Sequence, residues 1–223
     1  MEINNNPSLN PADNGTLAGT MNFVFSKLMQ QTNGMLPAQV IKYDRDANRV
    51  QVQLLISMLT TNGEIIARSQ LASLPVLVIG GGGYMINFPL NPGDLGWVAA
   101  NDRDISLFLQ SYSQVPPNTT RMFDFADGLF IPDAMKGYTI DPIDDGNMVI
   151  QNLAGTVKIA LSPTAVTITA PAVVVNGPLA ANGGITASGG LTPVNIVGNV
   201  MMTGDLRVVG NITASGAITP FVP

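Results

Sequence analysis

The chain has 223 residues and a formal net charge of −5, and only 11% of its residues are charged, against about 25% in an average soluble domain. With no basic run to neutralise phosphates, nucleic acid is excluded as a partner. The absence of cysteine and histidine removes thiol chemistry, the commonest general base and the commonest neutral metal ligand, so the reading is of a non-enzyme with no cofactor and no metal.

Residues 1–35 read as an arm followed by an amphipathic helix. The first 15 are rich in Asn, Pro and Gly, and Met1-Glu-Ile-Asn-Asn-Asn lacks the basic start and apolar run of a signal peptide. From Thr16 to about Thr32, Leu17, Met21, Val24, Phe25, Leu28 and Met29 keep helical spacing, with Asn33-Gly34 as the expected stop. Packing on its own domain and docking onto a neighbouring protein both fit such a helix. The docking face would be Leu17, Met21, Phe25 and Leu28.

Residues 36–112 read as a small barrel. Ala38–Tyr43 and Arg49–Ile56 flank the polar loop 44–48 as a hairpin, and Leu74–Ile79 is an apolar run suited to a buried strand. Tyr84–Phe88 alternates, and Trp97–Ala100 is expected to pair with Ile105–Leu109 across Asn101-Asp-Arg-Asp104. Five or six short strands with little helix between them match an OB-type barrel in size and count. The longest uncharged stretch here, Ser69–Pro92, is broken by prolines and Gly80–Gly83, so it is no membrane helix. The glycine run is followed by a strand and lacks the Lys-Ser/Thr pair of a phosphate-binding loop, so it reads as a hairpin turn. The aspartates at 101–104 and 141–145 lack calcium-loop spacing and read as turn formers.

Residues 113–146, with Pro116-Pro117, Ile131-Pro132-Asp133 and Asp144-Asp-Gly146, read as a collar. Residues 147–223 read as a rod. Val157, Ile159 and Leu161 alternate with Lys158 and Ala160, and Val166 and Ile168 with threonines, which puts the aliphatic set in a core and the threonines outside. Further on, Gly198, Gly204, Gly210 and Gly216 stand six apart, each followed two residues later by Val200, Leu206, Ile212 or Ile218. Gly184-Ile185 and Gly190-Leu191 share that step in another phase. A repeat this short stacks coils rather than building a globular core. Residues 1–140 hold 11 acidic and 8 basic side chains, whereas 141–223 hold 4 and 2. So bare a segment is expected to bury its apolar faces against copies of itself.

Three segments carry a resemblance: Asn87-Phe-Pro-Leu-Asn-Pro-Gly-Asp-Leu-Gly-Trp97, Asn101-Asp-Arg-Asp-Ile105, and Arg121-Met-Phe-Asp-Phe-Ala-Asp-Gly-Leu-Phe-Ile-Pro132. With the glycine-rich loop before them, over roughly residues 36–135, they resemble the N-terminal region of the membrane-puncturing central spike proteins of contractile-tailed phages. The resemblance implies an all-β chain with an OB-fold barrel and an intertwined, homotrimeric C-terminal β-helix. It also implies a virion protein of the tail baseplate, attached to hub proteins at its N-terminal end and driven transiently through the host outer membrane. Many such spikes close their tip with a His-x-His iron site, which a chain without histidine lacks. Its tip, Pro220, Phe221, Val222 and Pro223, is expected to close by apolar packing or under a separate cap protein. Two rival readings are a trimeric receptor-binding tail fibre, which would need a larger head, and a hexapeptide-repeat acyltransferase, which would need more coils and a catalytic histidine.

Overall fold

The computed structural model describes residues 16–60, 63–186, 196–197, 200–205, 207–210, 213 and 215–216. The chain divides into two units after Pro171.

The first unit opens with helix α1, Leu17–Gln31. Thr16 caps it, its hydroxyl accepting from the Gly19 N–H at 3.0 Å and satisfying one of the orphan donors of the first turn. The helix ends at Thr32, which is extended, and not on a left-handed glycine as the Asn33-Gly34 pair suggests. The Asn33 N–H instead donates to the Phe123 carbonyl, and Gly34 accepts from Ala100, so these two residues lead directly into a sheet.

Five strands then form one antiparallel sheet in the order β5-β2-β1-β8-β9. They are β1 (Met35–Asp44), β2 (Arg49–Leu54), β5 (Leu71–Pro75), β8 (Leu95–Asn101) and β9 (Asp124–Pro132). Between them lie two short hairpins, β3 (Met58–Leu59) with β4 (Ile65–Ile66), and β6 (Ile79–Gly81) with β7 (Tyr84–Ile86). The sheet curls until its two ends meet: Val76 bridges Phe130 in parallel, and the Leu77 N–H donates to the Phe130 carbonyl at 2.8 Å. Closure leaves few strand edges open to other chains.

Alternation along each strand fills the interior with Ala38, Val40, Val50, Val52, Leu54, Leu74, Val76, Val98, Phe125 and Phe130. Two irregularities shape the barrel. An extra residue at Ile41 breaks the β1–β2 register. A larger shift between Ala99 and Asn101 bulges β9, so that neighbouring Asp127 and Gly128 are both buried. Asn91-Pro-Gly-Asp94 supplies the turn into β8: Gly93 has φ +100° behind Pro92, and the Asp94 carboxylate accepts from the Asn91 N–H at 2.7 Å.

Several sequence expectations are corrected. Ile105–Leu109 is no strand: the Asp104 carboxylate caps a turn onto Ser106, and the chain continues into a short helix, α2 (Phe108–Ser111). The partner of β8 on that side is β9, which lies in the stretch read as a collar, so the barrel draws on residues beyond 112. The apolar run 74–79 also splits: Leu74 and Val76 are buried, but Ile79 opens an exposed hairpin.

After the barrel, β10 (Met148–Gln151), β11 (Lys158–Leu161) and β12 (Val166–Thr169) make a three-stranded antiparallel meander. In the second unit, 172–223, the described residues include no strand, and Gly184, Gly204 and Gly210 take positive φ. The β-helix expected there is therefore not shown. Leu206, Ile212, Ile218 and the tip residues Pro220, Phe221, Val222 and Pro223 lie outside the described residues.

Candidate functional site

Two features of the first unit stand out, and both are apolar faces. The first is α1. Leu17, Met21, Phe25 and Leu28 lie along one side of the helix and are 59–75% exposed. Thr20 and Val24 join Met21, Phe25 and Leu28 to line a shallow groove. A lone 15-residue helix is marginal in water, and an amphipathic one draws most of its stability from packing its apolar stripe.

The second face belongs to the β10–β12 meander. Its register sets Met148 beside Leu161 and Ile150 beside Ile159, then Ile159 beside Ile168 and Leu161 beside Val166. These six side chains form one continuous sheet face and are 39–65% exposed. Together they present on the order of 500 Å² of apolar surface, at the upper end of what a soluble monomer leaves uncovered. The alternation is the expected one, but the coverage is inverted: within one chain the covered residues are Lys158 and Ala160, not the aliphatic set.

Lys158 lies on the covered side because it finds carboxylates there. Its ammonium pairs with Asp144, whose side chain is also buried, and reaches Asp141 at 3.5 Å. The turn at Pro142–Asp144, capped by Asp141, presents these acids to β11. The hydrogen bond from Lys158 holds the Asp144 carboxyl below its ordinary range, and the same bond raises the Lys158 ammonium above its own. Sequence reasoning missed this pair. Its one signal was a lone lysine opposite an aspartate-rich turn in an otherwise nearly uncharged segment.

A second charged cluster sits at the base of the β8–β9 connection. One guanidinium nitrogen of Arg121 reaches Asp104 at 3.2 Å and Asp127 at 2.9 Å. Asp104 also accepts from the Ser106 N–H at 2.9 Å and the Thr119 hydroxyl at 2.7 Å. The Ser106 hydroxyl, which lies against it without a well-formed hydrogen bond, acts with these donors to hold Asp104 well below the usual carboxylate range. Asn101 belongs to β8 and the turn falls at Asp104 and Ser106, not in a hairpin, and Asp104 is also the anchor of a network that spacing alone did not reveal.

The glycine run is a hairpin turn, as expected. Gly82 and Gly83 both take positive φ (+60° and +87°), the conformation a two-residue β-hairpin needs. The adjoining Ile79, Tyr84, Met85 and Ile86 are exposed. Among the described residues, no cluster of three or more acidic side chains could hold a metal ion, and no helix is long and apolar enough to cross a membrane.

Residues 36–133, just under half of the chain, match the family model described as the phage protein Gp138 N-terminal domain. The matched span begins in β1 and ends just past β9, so it coincides with the closed barrel. The match supports a phage structural protein, a component of the virion. A comparison with curated proteins returns no match.

Proposed function

We propose that the chain is the homotrimeric central spike of a phage tail baseplate, carried through the host outer membrane as the tail contracts. The observation that carries this reading is the open aliphatic face of the β10–β12 meander. An uncovered patch of that size is costly in water, and copies of the same chain cover it without any charge needing to be matched. Three copies winding together would extend the same arrangement into the nearly uncharged, glycine-stepped segment 172–223 as a β-helix. Strands from different chains would then satisfy one another's backbone groups and give stiffness. Threonine-covered, uncharged surfaces would enter lipid at lower desolvation cost than charged ones.

The barrel reads as an OB fold. Its five long strands run β5-β2-β1-β8-β9 and close through a parallel contact between the first and last, as in a five-stranded Greek-key barrel. In this reading the barrels and the exposed stripe of α1 form the attachment end, with Leu17, Met21, Phe25 and Leu28 seated on the tail hub. The work is mechanical, and no catalysis, cofactor or metal is invoked.

Native mass measurement tests the trimer, followed by electrophoresis in detergent with and without boiling. The expected species has three times the 23.4 kDa chain mass and survives detergent until heated, because intertwined strands must all separate together. A monodisperse monomer would sink the proposal. A knob at the C-terminal end in electron micrographs would favour a receptor-binding fibre instead.

A further inference from the structure

The Asp104–Arg121–Asp127 cluster holds two carboxylates and a single cation, and its geometry leaves one carboxylate oxygen without a partner among the described residues. Asp104 is fully buried at its side chain and Asp127 is 6% exposed, while Arg121 remains partly in solvent. The Ser106 N–H and the Thr119 hydroxyl donate to Asp104, and the Ser106 hydroxyl makes no well-formed hydrogen bond. Asp127 accepts from Arg121 through Oδ1 alone, and its Oδ2 is buried and finds no donor among the described residues. The other group that faces Asp127 across the cluster is the Asp104 carboxylate, itself an acceptor, and Asp124 on the same strand adds a third negative charge nearby. Asn101, at the end of β8, donates only to the Asp127 backbone carbonyl. A buried carboxylate oxygen in such surroundings is costly when ionised and satisfied when it carries a hydrogen.

We propose that Asp127 holds a proton on Oδ2 and donates it to Asp104, so that the clasp at the base of the β8–β9 connection is complete only in its protonated form. The clasp ties Asp104, just after β8, to Arg121, just before β9, and both to the bulge of β9. It thereby closes the neck of an excursion that carries α2 with its exposed Phe108 and Tyr112. The chain then grips this excursion more firmly in mild acid than at neutral pH. Burial, opposed by Arg121 and reinforced by Asp104 and Asp124, raises the Asp127 carboxyl above its ordinary 3.8, in agreement with the geometry.

The sign follows from linkage. A carboxyl that binds its proton more tightly when folded contributes stability that is fully present below 3.8 and is lost as pH rises to the folded value. Asp127→Asn copies the protonated group, since its amide can donate to Asp104 while its oxygen still accepts from Arg121. Urea unfolding of the full chain and of D127N, at equal concentration from pH 4 to 8, reads the effect. The unfolding constant of the unsubstituted chain is expected to rise relative to D127N by up to tenfold per pH unit above 3.8, then level off. A ratio that stays flat across this range overturns the proposal. The carboxyl carbon of Asp127, followed by NMR in the unsubstituted chain, gives a reading that does not depend on the variant folding. Titration clearly above 3.8 supports the shared proton, and titration at or below it refutes it.

Discussion

Gly96 is the position where one added methyl group should injure the barrel most. It is buried on β8, between Ala38 on β1 and Pro132 on β9. A Cβ there would fall inside van der Waals contact with the Ile131 carbonyl oxygen and with Phe130 Cζ, and 2.8 Å from Phe130 Cε2. Its φ is not in the left-handed region, so the penalty is steric and not conformational. Overpacking of a tight core costs about 1–3 kcal/mol, and Gly96→Ala should lie at the upper end because one obstructing atom is paired backbone that has nowhere to move. Against a typical stability of about 5–15 kcal/mol, that is a large fraction. Trp97, the single tryptophan, adjoins the site and donates to Asp133 at 2.7 Å, so its fluorescence reports the unfolding of this strand in urea. Phe130→Ala alone should cost about 3–5 kcal/mol through its cavity. The double variant should cost less than the sum by on the order of 1 kcal/mol, since removing the ring frees part of the space the methyl needs. A Gly96→Ala chain whose midpoint moves by less than about 0.5 kcal/mol, within the range of a neutral surface change, would refute the described packing of β8 on β9.

Other outcomes follow from the same structure. Ile159→Lys, in the centre of the open meander face, should convert the proposed trimer to monomer in native mass spectra while Trp97 fluorescence remains that of a folded barrel. Leu17→Ser with Leu28→Ser should leave the barrel's unfolding midpoint within about 0.5 kcal/mol, because these side chains are exposed; a large loss would show that α1 packs where it is described as free. Stability supplied by Asp144, whose carboxyl is held low, is present above its ordinary 3.8 and should be lost as pH falls through the folded value. Stability supplied by Lys158, whose ammonium is raised, is present below 10.5 and should be lost as pH climbs through its higher folded value. Asp144→Asn should therefore flatten the acid limb of the unfolding profile, and an unchanged limb would count against the pair.

Residue patterns with a local cause were legible in the sequence. Helical spacing placed α1 to within a residue or two, because an amphipathic period is set within a few turns of the chain. Period-two alternation found β1, β2 and two of the meander strands, β11 and β12, and the paired glycines found the β6–β7 turn. The exposed positions Leu17, Met21, Phe25 and Leu28 were named from spacing alone. What the sequence could not supply were features settled by residues far apart in the chain. Strand β9 escaped because its bulge puts Asp127 and Gly128 side by side in the interior and so erases the alternation that marks a strand. The ion networks were hidden for a related reason, since Arg121 meets Asp104, and Lys158 meets Asp144, across 17 and 14 residues. The direction of the meander was likewise decided by tertiary contact. Alternation shows that two faces differ, but only the buried carboxylate of Asp144 determines that the lysine side is covered within the chain and the aliphatic side left open.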